Sequence, residues 1–105
     1  LNKLDQIELL EDAWNGNTAK AFKASFISKI REIITALEVQ PEIFPTAYNS
    51  IQMEYEKEDG SYLEIEIIPA DTWEVFKINN KGKESFFSIA ANVEAITKVV
   101  NSFYE

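Results

Sequence analysis

Cysteine and histidine are both absent from the 105 residues. Their absence excludes a cysteine nucleophile, a Ser-His-Asp triad, a histidine general base, a zinc finger and a histidine ligand for haem. Arginine occurs once, at Arg31, so bidentate phosphate recognition has little to work with. Positive charge is scarce overall, with 10 Lys+Arg against 18 Asp+Glu and a net charge of −8. Nucleic acids and anionic membranes reward Lys and Arg, so neither is expected as a partner. Three Gly and three Pro leave little room for linkers. No apolar run approaches the roughly 20 residues of a membrane span. The opening stretch from Leu1 to Glu11 lacks the apolar segment of a signal peptide, although a start at Leu1 rather than Met leaves an upstream segment open. With no disulfide possible, the cytoplasm is the expected compartment.

What is present describes a folded domain. Apolar residues make up 46% of the chain and aromatics 12%, enough to bury a core, and the length suits one domain over residues 1–105. Residues 2–13 read as a helix, with Leu1, Leu4, Ile7 and Leu10 recurring every third position, Leu9 widening the stripe, and Asn2 with Asp5 resembling a cap. Asn15-Gly16 would stop it. Residues 24–38 carry the clearest helical period, with Phe26, Ile27, Ile30, Ile33, Ile34 and Leu37 on one face. Pro41 and Pro45 bracket an extended stretch. Residues 91–104 close the chain as a helix with Val93, Ile96, Val99, Val100 and Phe103 in its stripe, capped by Asn92 or Ser88.

Between the helices the period changes to two. In residues 50–57, Ile51, Met53 and Tyr55 alternate with Gln52, Glu54 and Glu56; in 61–68, Leu63, Ile65 and Ile67 alternate with Glu64 and Glu66. Glu58-Asp59-Gly60 is the turn between them. A two-residue loop would set acidic positions against apolar ones. A three-residue loop ending in Gly60 keeps the faces matched, and it pairs Tyr55 with Leu63, Met53 with Ile65, Ile51 with Ile67, Glu54 with Glu64 and Gln52 with Glu66. Residues 72–78 form a third strand of ambiguous facing. Asn79-Asn80-Lys81-Gly82 marks another turn, and 83–88 an edge strand. The expected fold is α+β: a four-stranded antiparallel meander in the order α-α-β-β-β-β-α, with the helices packed mainly on one face.

The unusual constellation is the acidic side of the first hairpin, formed by Gln52, Glu54, Glu56, Glu64 and Glu66. A like-charge pair such as Glu54 and Glu64 destabilises a sheet by itself. Three readings fit. The array is a solvated outer face, neutralised by Lys77 from the third strand. Or it docks a basic protein. Or it holds Mg²⁺, Mn²⁺ or Ca²⁺ on Glu54, Glu64 and Glu66, as the carboxylates of a metal-dependent hydrolase would, because hard cations accept all-oxygen ligands. Trp14 and Trp73 read as core anchors, and Phe44, Tyr48 and the Pro41/Pro45 segment as packing residues. Lys81-Gly82-Lys83 lacks the spacing of a phosphate loop, and Asp59-Gly60 that of a calcium loop.

The run Trp14-Asn15-Gly16-Asn17-Thr18-Ala19-Lys20, then Pro41-Glu42-Ile43-Phe44-Pro45-Thr46, Ile51-Gln52-Met53-Glu54-Tyr55 and Leu63-Glu64-Ile65-Glu66, resembles a loose group of small uncharacterised bacterial proteins. Their pattern is Trp-Asp/Asn-Gly-x-x-Ala, a helix, a proline-rich connector, Gly-Gly-Ile-Gln-Leu-Glu-Trp and a strand with Leu-Glu-Ile. Here Asn49-Ser50 stand in place of the paired glycines and Tyr55 in place of Trp. The resemblance implies a relative in fold and points to Gln52, Glu54, Glu64 and Glu66, but it names no reaction.

The functional expectation is therefore a non-enzymatic acidic module that needs no cofactor and engages a basic protein, as an antitoxin, immunity or inhibitor protein would. The alternatives are the metal-dependent hydrolase and a homodimer joined through the edge strand near Phe86 and Phe87.

Overall fold

Three hairpins with one loop design organise the sheet. The computed structural model of the chain describes residues 2–12, 14 and 21–105. Five strands run β1 (Glu42–Pro45), β2 (Ile51–Glu56), β3 (Tyr62–Ile67), β4 (Thr72–Ile78) and β5 (Glu84–Ala90), and they pair antiparallel in sequence order. In the β1–β2 turn Thr46 N–H donates to the Ser50 carbonyl at 3.0 Å, in the β2–β3 turn Lys57 N–H to Ser61 at 2.9 Å, and in the β4–β5 turn Asn79 N–H to Lys83 at 2.9 Å. Each closes a three-residue loop whose third residue has positive φ: Asn49 at 58°, Gly60 at 91° and Gly82 at 82°. Glycine reaches this region without cost and asparagine tolerates it, which explains why these residues stand there.

The Gly60 loop sets the register expected for the first hairpin, with Tyr55 opposite Leu63, Met53 opposite Ile65 and Glu54 opposite Glu64. The meander has five strands, however, and not four. Glu42–Pro45 pairs with β2, Ile43 opposite Met53 and Pro45 opposite Ile51. The Thr46–Ser50 bond fixes the alternation of the ladder, which leaves the Pro45 nitrogen on the outer edge, where a missing N–H removes no bond. The prolines hide this strand from its composition.

All three helices cover one face. α1 (Asn2–Glu8), α2 (Ala24–Ala36) and α3 (Val93–Tyr104) bury Leu4 and Ile7, Phe26, Ile27, Ile30, Ile33 and Ile34, and Ile96, Val100 and Phe103, in one cluster with the odd-numbered strand residues Ile43, Ile51, Met53, Tyr55, Leu63, Ile65, Ile67, Trp73 and Val75. Trp73 is fully buried, and its indole N–H donates to the Ile68 carbonyl at 3.0 Å. Trp14 is half-buried against the Phe22 ring, at 6.4 Å between centroids. Asn92 caps α3 by accepting from the Ala95 N–H at 2.7 Å, while Ser88 lies in β5.

α1 is shorter than the 2–13 reading. Bonds from Leu9 N–H to the Gln6 carbonyl and from Leu10 N–H to Ile7 tighten its end, and Leu9 is 81% exposed, so it adds nothing to the stripe. Asp5 is drawn to Arg31, with Nη1 to Oδ1 at 2.8 Å. The Leu1 position, the Asn2 side chain and the Asn15-Gly16 stop lie outside the described residues, as does most of the Trp14–Lys20 motif. Among the described residues no helix is long and apolar enough to cross a membrane.

Candidate functional site

Alternation along five paired strands sends every even-numbered strand residue to the face opposite the helices. Cross-strand partners share a face, and the registers line up Glu42 with Glu54, Glu54 with Glu64, Gln52 with Glu66, and Glu66 with Glu74, while Glu84 lies opposite Ile78. With Glu56 this outer face carries seven glutamates, and its strand positions hold no Lys or Arg. α1 packs against the other face through Leu4 and Ile7, so it does not roof the glutamates. Among the described residues Lys3 lies at the β1 edge, with its ammonium 5.5 Å from the centre of the Phe44 ring.

The structure brings together the five residues singled out from the sequence. Glu54 and Glu64 form a pair whose backbone bonds point away from each other, because Lys57 N–H bonding to Ser61 sets the alternation. Such pairs hold their side chains closer than hydrogen-bonded ones. Each carboxylate is held by a neutral donor. Gln52 Nε2 donates to Glu54 Oε2 at 2.5 Å, and the Tyr62 hydroxyl donates to Glu64 Oε1 at 3.1 Å. Ser50, itself fully buried, donates from Oγ to Glu66 Oε2 at 2.8 Å, and Ser88 donates to Glu74 Oε1 at 3.0 Å. Neutral donors fix carboxylate geometry without cancelling charge, so the face keeps its negative potential. Glu56 is exposed at the end of β2.

Lys77 does not neutralise the array. It lies opposite Leu63, on the parity of Trp73 and Val75, so β4 turns its lysine to the helix side and Phe76 to the acidic side, opposite Glu64. Among the described residues the ion pairs are Arg31 with Asp5 and Glu8, and Lys98 with Glu94, and none involves a strand glutamate.

Tyr62 joins this candidate site without having been singled out in the sequence. Its phenol is held protonated above its ordinary range, first by burial and then by the neighbouring Glu64 and Glu54 carboxylates. Parity alone could have found it, since the Gly60 loop makes Tyr62 the even-numbered start of β3. Tyr62, Glu54, Glu56 and Glu42 line a cleft of about 250 Å³ at the β1–β2 side, with Tyr104 at its rim. Tyr48 departs from its expected packing role, being 88% exposed at the tip of the β1–β2 hairpin, while Phe44 stands partly exposed on the acidic face.

No family model, no curated protein and no solved structure matches this chain. Among the described residues no three acidic side chains converge closely enough to ring a metal ion. Glu54 and Glu64 stand side by side, and Glu66 turns away to Ser50.

Proposed function

We propose that the chain is a non-enzymatic interaction module whose outer sheet face docks a basic protein. The observation that carries this reading is the segregation of charge: seven glutamates and no cation on the strand positions of one face, with only neutral donors on the carboxylates. A sheet face needed only for solubility would mix both signs. Gln52, Glu54, Glu56, Glu64 and Glu66 form the centre of the surface, and Tyr62 adds an amphipathic ring to it, the kind of side chain enriched at interface centres. An acidic face speeds encounter with a basic partner and sets its orientation, as an antitoxin, immunity or inhibitor protein requires.

The test is parallel capture from a lysate with the wild-type chain and with the Glu54→Gln/Glu64→Gln double variant, followed by association kinetics on the recovered protein. A partner of high isoelectric point should bind with an on-rate that falls as salt rises, and the double variant should lower that on-rate about tenfold at low salt. An on-rate unchanged in the double variant at low salt overturns the reading. The same variant measured for thermal unfolding in millimolar Mg²⁺, Mn²⁺ or Ca²⁺ addresses metal binding. A stabilisation by any of these ions that the variant loses would make the carboxylates metal ligands instead.

A further inference from the structure

The two edges of the sheet are built to opposite specifications. β1 has four residues and a proline facing outwards, and Lys3 lies over its Phe44. β5 has seven residues, Glu84-Ser85-Phe86-Phe87-Ser88-Ile89-Ala90, with one charge, no proline and no lysine. Short length, proline and lysine are the usual protections against edge pairing, and β5 has none of them.

Two bonds bracket its ladder to β4: Asn79 N–H to the Lys83 carbonyl at 2.9 Å and Ala91 N–H to the Asp71 carbonyl at 3.0 Å. Alternation between them turns the backbone groups of Ser85, Phe87 and Ile89 towards β4, and the N–H and C=O of Glu84, Phe86, Ser88 and Ala90 outwards. An aromatic row crosses the outer face towards this edge, from Tyr62 to Phe76 at 6.3 Å and from Phe76 to Phe86 at 4.6 Å. It ends at Phe86, which is 76% exposed. The strand is also polarised along its length. Exposed Lys81 and Lys83 precede it, while Asp71 lies beside its end and Glu94 follows in the first turn of α3.

We propose that β5 is a self-association edge, at which two copies of this chain pair β5 to β5 antiparallel and form one ten-stranded sheet. An interface with two-fold symmetry must be complementary to itself, and this edge is. Reversing the strand brings the lysine end of each copy to the acidic end of the other. An axis normal to the sheet and midway between the two strands at Phe86 sets Phe86 beside its counterpart, continues the aromatic row into the second copy, and puts Glu84 opposite Ser88 instead of a second carboxylate. Such an axis keeps even positions beside even positions. Both helix layers then lie on one side, and the two glutamate faces form one continuous acidic surface. The proposal does not rest on the basic-partner reading, since it concerns another part of the molecule and another partner.

Sedimentation equilibrium of the full chain from micromolar to millimolar concentration tests it. The wild type should shift from 12.0 kDa towards twice that mass. Ser88→Pro removes an outward-facing backbone donor and no backbone bond to β4, losing there only the hydroxyl's bond to Glu74, and Phe86→Lys places a charge at the centre of the edge. Both should hold the chain at 12.0 kDa with an unchanged far-ultraviolet circular dichroism spectrum. If the proline variant does not fold, Phe86→Lys reads the same edge. Lys81→Glu with Lys83→Glu should weaken the dimer about tenfold, through the lost end-to-end complementarity. The proposal is overturned if the wild type stays at 12.0 kDa throughout, or if a dimer persists in folded Phe86→Lys. A wild-type monomer whose β5 edge instead captures an unrelated extended peptide overturns it as well.

Discussion

The two faces of this sheet differ by one residue of register. Odd positions carry Ile43, Ile51, Met53, Tyr55, Leu63, Ile65, Ile67, Trp73 and Val75, all buried under the helices. Even positions carry the seven glutamates, none of them buried. The period of two has thereby separated two roles. One face supplies the burial that holds the fold, and the other is left free to carry charge. The magnitudes allow this separation. A like-charge cross-strand pair costs about 0.2–1 kcal/mol, while one buried isoleucine contributes several times as much. A core with this many aliphatic side chains supports an acidic face that would be ruinous in a two-stranded hairpin.

The contrast is tested most severely at Ile65, which is fully buried in the middle of β3, beside Glu64 on the opposite face. Ile65→Ala should lower the unfolding free energy by about 2–5 kcal/mol. Urea titration followed by tryptophan fluorescence measures it, since Trp73 lies in the same cluster. A loss under about 1 kcal/mol would mean that the odd face is not the load-carrying one.

Next in size is the loop that keeps the faces apart. Gly60 holds φ at 91°, and a β-carbon there would meet nothing within 4 Å. Gly60→Ala therefore isolates the backbone cost of a left-handed residue, about 1–2 kcal/mol. The equivalent Gly82→Ala change in the β4–β5 hairpin should cost a similar amount, because that loop is built the same way and is equally open. Unequal costs would show that the two hairpins do not share one design.

The two faces and register of the β2–β3 hairpin and the stripes of α2 and α3 were legible from the sequence, the faces and stripes from their periods and the register from one glycine. Gly60 forces a three-residue loop, and that loop alone decides that Glu54 meets Glu64. Three features were not legible, each for a physical reason. β1 is short and holds Pro45, so it carries neither the length nor the composition of a strand, and its hairpin is closed by Asn49 in the conformation that Gly60 takes elsewhere. β4 has apolar residues on both parities, and only pairing with β3 reveals that Lys77 leaves the acidic face and Phe76 joins it. α1 ends at Glu8, well short of the thirteenth residue, since one exposed leucine can mimic an apolar stripe. Of the site, the carboxylates were visible as a list. Of the neutral donors that hold them, Ser50 and Ser88 stand far along the chain from Glu66 and Glu74, and Tyr62 enters only when parity is followed back to the start of β3.

Smaller still is the effect of relieving the outer face. Glu64→Gln removes the like charge opposite Glu54 and keeps an acceptor for Tyr62. It should raise stability by about 0.2–1 kcal/mol, opposite in sign to Ile65→Ala one residue away. If the glutamates serve a partner, the more stable variant should also be the weaker binder, the usual sign of a surface kept at some cost to the fold. Equal or lower stability in Glu64→Gln, read from the urea midpoint at neutral pH, would mean that Glu64 is held favourably by its neighbours and that the pair is not frustrated.

The finest distinction between the faces lies in their tyrosines. Tyr55 belongs to the buried face and donates to the Val39 carbonyl at 2.7 Å; Tyr62 belongs to the acidic face and donates to Glu64. Both phenols, and that of Tyr104, are shifted upwards, Tyr55 by burial and then Tyr104, Tyr62 by burial and then its carboxylates, Tyr104 by burial. A group whose pKa is raised on folding keeps its proton longer in the folded chain than in the unfolded one. Its contribution is complete below the ordinary tyrosine value of about 10 and is lost as pH climbs past it. The chain should therefore lose stability on the alkaline side, progressively from about pH 10 upwards. Tyr62→Phe should flatten that decline and Tyr104→Phe should flatten it as well, but only the first should respond to Glu64→Gln, because only Tyr62 owes part of its shift to carboxylates. Denaturation midpoints across that range measure all three. If Glu64→Gln leaves the slope attributable to Tyr62 untouched, burial alone governs the phenol, and the acidic face does not act on it electrostatically.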